Sequence, residues 1–225
     1  MNYKIIYDEE ELKRFIDWLP DLKQDEKFYC ALFSRKKYCK EGVLSSDKAQ
    51  LKRFLSDKER LFDKIKQLEA PLDSYKLKTG PAPQESLAFY ISPNPRNLHK
   101  ATYNIILELT KALKNKAINF NPHQEAMSCI QKTCSRKIYL DFDFDNKVPI
   151  NLELSKIINL SSLNLVVTRG GAHVLVEADK VEAWYRKSFY KSLLNLGADK
   201  CGDQLLPVPG CCQGGFVPRL VQNLT

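Results

Sequence analysis

No apolar run in this 225-residue chain approaches the ~20 residues needed to span a bilayer, so no transmembrane helix is expected. The first dozen residues are acidic and lack the basic-then-apolar order of an export signal. No Cys-x-x-Cys pair occurs, and the seven cysteines are odd in number. Reduced thiols in a cytosol follow, rather than a disulfide framework. Histidine is scarce, at three residues. His123, Cys129 and Cys134 lie close enough in sequence to hold part of a zinc site, but buried free cysteine on a helix is the alternative for Cys129. Glycine is sparse as well, and seven of the nine fall between Gly170 and Gly215, so tight backbone geometry gathers in the C-terminal half.

The remaining composition is that of a folded protein. At 44% hydrophobic and 28% charged residues, wholesale disorder is excluded. The length suits one large domain or two small ones. The net charge of +8 is spread along the chain rather than gathered in a tail. Such a surplus suits a protein that meets polyanions, and equally a plain solvated surface.

Periodicity and breakers give alternating helices and strands. Residues 8–19 read as an amphipathic helix closed by Pro20, and 27–34 as an aromatic strand. Ser46 is positioned to cap a long helix running to about Glu69. Residues 71–86 form a loop, 87–92 a strand, 100–115 a helix and 123–133 another, the last following the start signal Asn121-Pro122. From Lys137 onward the order is strand (137–145), helix (153–159), hairpin (163–167 with 173–177) and a helix from Asp179 to Gly197. A final extended segment follows near Asp203–Val208. The expected fold is therefore α+β: an N-terminal α/β module (1–136) on a C-terminal βαββαβ, RRM-like sheet (137–225).

The strand Lys137–Asp145 carries the most chemistry. Alternation puts Ile138, Leu140, Phe142 and Phe144 on one face, and Asp141, Asp143 and Asp145 on the other, roughly 6.6 Å apart. Three like charges at that spacing repel, which a divalent cation between them would relieve. Hard oxygen donors select Mg²⁺ or Mn²⁺. An exposed acidic strand face is the alternative. Thr168-Arg169-Gly170-Gly171-Ala172-His173 joins two apolar strands. Its glycines let backbone N–H groups approach a phosphate, with Arg169 and His173 as added donors; a plain hairpin turn is the alternative. Asp203, after Gly202, reads as a turn residue or as a third acid facing Asp141 and Asp143. Arg96 reads as an exposed turn arginine or a phosphate contact. Residues 111–138 hold a run of basic groups that includes Lys132 and Arg136, a candidate duplex-tracking surface. Arg219 is a further phosphate candidate.

In order and spacing, Tyr139-Leu140-Asp141-Phe142-Asp143, the hairpin ending at His173, and Gly202-Asp203 resemble the three motifs of the archaeo-eukaryotic primase superfamily. The resemblance implies template-directed nucleotidyl transfer. Asp141, Asp143 and Asp203 would be metal ligands, with Asp145 extending the site. His173, beside Arg169, Gly170 and Gly171, would hold the incoming triphosphate. It also implies nucleoside triphosphates and a single-stranded or primed DNA template as partners, a separate helicase or replication protein, no membrane, and the cytoplasm of a bacterium or virus-infected cell. No zinc-initiation motif of the family is legible, so strand extension is favoured over de novo priming. A non-catalytic, nucleic-acid-binding member of the same fold and a two-metal nuclease are the competing readings.

Overall fold

The computed structural model describes residues 1–116, 119–145, 149, 151–222 and 224, with backbone alone at 200 and 201. Asp8 starts the first helix: its carboxylate accepts from the Glu11 N–H at 3.0 Å, and α1 (Glu9–Trp18) buries Leu12, Phe15 and Ile16. β1 (Glu26–Arg35) is buried along nearly its whole length. It is a central strand, flanked by β2 (Lys48–Ser56) and later by β5 (Leu87–Ile91), both antiparallel to it. Between them come α2 (Leu61–Lys66) and the two-residue strands β3 (Lys76–Leu77) and β4 (Gly80–Pro81).

β2 corrects the sequence reading. The expected helix 46–69 is a nine-residue strand followed by six residues of helix. Leu51, Phe54 and Leu55 fall at helical spacing, but pairing from Ser56 opposite Phe28 to Lys48 opposite Arg35 satisfies the whole edge of β1, and tertiary pairing overrides local periodicity.

β6 (Arg96–Asn97) pairs with the start of β1 and leads into α3 (Leu98–Lys114). That helix lies against α4 (Pro122–Lys132), which Asn121 caps as its Asn-Pro start predicts. The first sheet has the order β5-β1-β2, with β6 paired to β1.

β7 (Tyr139–Asp145), α5 (Asn151–Leu154), β8 (Leu163–Thr168), β9 (Gly171–Glu177), α6 (Phe189–Asn195) and β10 (Lys200–Gly202) follow in the predicted succession. The helix expected from Asp179 is only Phe189–Asn195; Ala178–Lys180 is a short 3-10 turn. The chain then returns to the first sheet as β11 (Leu206–Pro207) beside β5, and ends as β12 (Arg219–Val221) on β8. The predicted segment 203–208 thus joins the first sheet, while its place at the edge of the second is taken by β10. The second sheet has the antiparallel order β10-β7-β9-β8-β12.

Phe142, Phe144, Val174, Val176, Leu163 and Leu165 form one face of the second sheet and pack on Leu154, Ile158, Phe189 and Leu193. The opposite face divides along its length. Tyr139 and Leu175 at one end, with Val166 and Leu220 on the outer strands β8 and β12, enter the core of the first sheet. Helix α1 holds the two sheets together there. Trp18 stacks on Tyr139 at 4.6 Å and Arg14 donates to the Leu220 carbonyl at 2.7 Å. At the other end the same face carries Asp143, Asp145 and His173, and the sheets part.

Candidate nucleotide-binding cleft

The gap between the sheets is a cleft of about 530 Å³. From the second sheet it is lined by Asp143, Asp145, Thr168, Gly170 and His173, and from the loop after β10 by Asp203 and Gln204. Its opposite wall comes from the first sheet and its surroundings: Phe33, Arg35, Lys37, Lys48, Tyr90 and Arg96, with Lys132 from α4. Five Lys or Arg side chains therefore face three Asp side chains. The cationic wall is the part that the sequence reading missed, apart from Arg96 and Lys132. The alternation of Phe33 with Arg35 at the end of an apolar strand, followed by Lys36-Lys37, was its only local signal.

Cross-strand register makes the centre of the cleft. Asp143 lies directly opposite His173 on β9, so both side chains leave the sheet on the same face. His173 is buried between two carboxylates. Its Nδ1 lies 2.9 and 3.0 Å from the two Asp141 oxygens, and its Nε2 lies 3.6 Å from Asp143 Oδ1. Burial disfavours the imidazolium. The charge and hydrogen bond of Asp141, with Asp143 and Asp145 behind it, outweigh burial and raise the His173 pKa above 6.5. His173 thus stands at the cleft floor, oriented by Asp141.

Asp141 itself is 1% exposed and does not line the cleft. Both its oxygens face His173, so it positions that ring. Asp203 does line the cleft, but Arg96 holds it. The Arg96 guanidinium donates through Nη2 to Oδ1 at 3.0 Å and through Nη1 to Oδ2, and Asn94 Nδ2 adds a bond at 3.1 Å. Asn94 also fixes the start of β7, accepting from the Ile138 and Tyr139 N–H groups at 2.9 Å each. The turn Pro93–Arg96 is therefore a buried part of the site: Arg96 is 2% exposed, not a solvated turn residue.

The other predicted phosphate contacts divide. Gly170 lines the cleft, and Gly171, at φ 148°, makes the tight turn that brings β9 back beside β8. Arg169 is committed elsewhere: it donates to the Gly214 carbonyl and lies over the Tyr38 ring at 4.7 Å. Gly214 is required there, since a Cβ would come within 2.3 Å of that ring. Arg136 is bound to Glu26 and to the Asp21 carbonyl. Arg219 is exposed on β12, at the outer edge of the second sheet and outside the cleft. Lys132 lines the cleft while Lys111 pairs with Glu108, so the basic run 111–138 is not one surface.

The donor chemistry suits a hard divalent cation, since three carboxylates open on one polar cleft. The arrangement is less complete than expected: no three His, Cys, Asp or Glu side chains converge as a metal site among the described residues. Asp143 and Asp145 are the other two acids of the predicted set that open on the cleft. His123, Cys129 and Cys134 form no such group either; Cys129 is buried on α4. Six cysteines are unpaired thiols, and the seventh, Cys201, lies outside the described side chains. No helix is long and apolar enough to cross a membrane among the described residues. Comparison with family models, with curated proteins and with solved structures found no match.

Proposed function

We propose that the cleft binds a nucleoside triphosphate and joins its nucleotide to the 3′-hydroxyl of a strand on a DNA template, as a primase-polymerase of the archaeo-eukaryotic type. The observation that carries this reading is the meeting of Asp143, Asp145 and His173 with a wall of lysines and arginines in one cleft. The antiparallel order β10-β7-β9-β8, with α5 and α6 as crossovers, also supports it, since this is the strand order of an RRM-like sheet.

His173, oriented by Asp141 through Nδ1, presents Nε2 to a phosphate oxygen. Arg35, Lys37 and Lys48 offset the charge of the phosphate tail. Asp143 and Asp145 would hold Mg²⁺ or Mn²⁺, which lowers the pKa of an attacking hydroxyl and neutralises charge developing on the α-phosphate. The partners in this reading are nucleoside triphosphates, a single-stranded or primed DNA template and a separate helicase or replication protein, in the cytoplasm.

The closure of Asp203 by Arg96 favours a second reading, a non-catalytic nucleic-acid-binding subunit of the same fold. One assay separates the two. The protein is incubated with labelled deoxynucleoside triphosphates, Mn²⁺ or Mg²⁺, and primed or unprimed single-stranded DNA. Lengthened product supports transfer; binding with no change in length supports the accessory role; shortening would point instead to a nuclease.

A further inference from the structure

The end of the cleft around Arg96 has hydrogen-bond donors with nothing to donate to. Arg96 Nε and Gln204 Nε2 are buried and have no hydrogen-bond partner among the described residues. A buried donor left without an acceptor forfeits its hydration and gains nothing in return. Both residues line the cleft, and Lys132 from the last turn of α4 lines it with them. Asp203, the residue before Gln204, occupies only the Nη1 and Nη2 edge of the guanidinium. The Nε edge and the Gln204 amide require an acceptor, and the exposed Lys132 ammonium adds a second cation beside the Arg96 guanidinium.

From this geometry we infer a phosphate subsite formed by Arg96, Gln204 and Lys132, in which an arriving phosphate competes with Asp203 for Arg96. The inference rests on the nucleotide-binding reading of the cleft but not on catalysis. Phosphate oxygens satisfy the orphaned donors together, in the fork geometry that a guanidinium prefers. The phosphate takes the Nε edge that Asp203 leaves free, and the two anions share the one guanidinium charge. The ligand chemistry is a phosphate group, from a nucleotide tail or from a strand backbone. Arg169, the arginine that the sequence reading placed on phosphate, is excluded from this role by its bond to Gly214.

The test is calorimetric binding to the full chain in excess EDTA, with inorganic tripolyphosphate in one arm and an unphosphorylated thymidine hexanucleotide in the other. Gln204→Ala is expected to weaken the ligand that uses the subsite about tenfold. Asp203→Asn is expected to tighten it several-fold, because Arg96 is released from a charged competitor. Asp145→Asn removes the same charge from the same cleft without touching Arg96, and is expected to give a distinctly smaller gain. Arg96→Ala is avoided as the sole probe, since it leaves Asp203 stranded and threatens folding. Whichever arm responds identifies the source of the phosphate. Equal gains in Asp203→Asn and Asp145→Asn, or unchanged binding in Gln204→Ala, would overturn the subsite. A protein that binds phosphate in this pattern yet extends no primer would refute the polymerase reading and leave the subsite standing.

Discussion

Two arginine–carboxylate pairs stand at the junction of the sheets, and they are built differently. At the seam, Glu26 is buried and takes four bonds: Ser135 Oγ at 2.6 Å, Arg136 Nε and Nη2 at 3.1 Å each, and the Lys23 N–H at 2.9 Å. Both of its oxygens are engaged, and Arg136 also donates to the Asp21 carbonyl. At the cleft, Arg96 is the buried partner; it keeps an unused Nε and faces an open cavity. The first pair joins the chain after α4 to the entry of β1, and its bonds leave nothing over. The second leaves donors over. Saturation marks a structural pair, and an orphaned donor beside a cavity marks a site where a ligand is expected.

If that contrast holds, changes at the cleft alter chemistry and changes at the seam alter stability. The largest effect is expected from Asp143→Ala, which should lower nucleotide incorporation about 10³-fold or more in a primer-extension assay while leaving the circular dichroism spectrum intact. Loss of incorporation with loss of fold would blur the contrast.

Arg136→Ala should cost about 3 kcal/mol in urea unfolding, because it strands a buried carboxylate. Its folded fraction should retain incorporation. A stability loss under about 1 kcal/mol would show that the seam pair is no more structural than a surface salt bridge.

Acid should act on stability through the buried, hydrogen-bonded carboxylates. Burial raises the Glu26 pKa, but the bonds from Arg136, Lys23 and Ser135 outweigh it and hold it below the ordinary 4.5. Glu69, which accepts from the Ile5 and Ile6 N–H groups at 3.0 Å each, is lowered in the same way against burial. A depressed carboxylate adds stability that is present above the unfolded-state value and lost as pH falls through the folded one. The melting temperature should therefore fall as pH drops below about 4.5, and Glu26→Gln should flatten that decline. The same slope in Glu26→Gln would remove the residue from the account.

The smallest effect is expected from Arg219→Ala, on the exposed outer strand. Stability should change by no more than about 0.5 kcal/mol, and affinity for single-stranded DNA should not change. A clear loss of DNA affinity would extend the binding surface beyond the cleft.

Local pattern made the second sheet legible. The alternation of acids with Phe142 and Phe144 fixed which face of β7 enters the core, and the Arg169-Gly170-Gly171 turn fixed the hairpin. The amphipathic pattern closed by Pro20 marked α1, and Asn121-Pro122 marked the start of α4. The first sheet was harder to read, since β2 carries helical spacing and becomes a strand only because β1 offers it an edge. The site was half visible for a related reason. Asp143 and Asp145 share one face of β7 by alternation, and His173 and Gly170 belong to the β8–β9 hairpin, so each pair was legible within its own segment. The bond from Arg96 to Asp203 spans 107 residues, and nothing within either segment indicates the other. Lys48, at the start of β2, joins the cationic wall only because β2 is a strand.

The path of the chain after β10 has its own consequence. The polypeptide leaves the second sheet, adds β11 to the first, and comes back as β12. The two layers are thereby stitched, and neither half of the sequence is a self-sufficient unit. A fragment cut near residue 136 would lack Leu206, Val208 and Cys211 from the middle of its own interior, and the complementary piece would carry those apolar side chains uncovered. Shuffling this molecule by swapping halves would thus create two incomplete bodies, whereas exchanging loops at the rim of the cleft would leave the weave untouched.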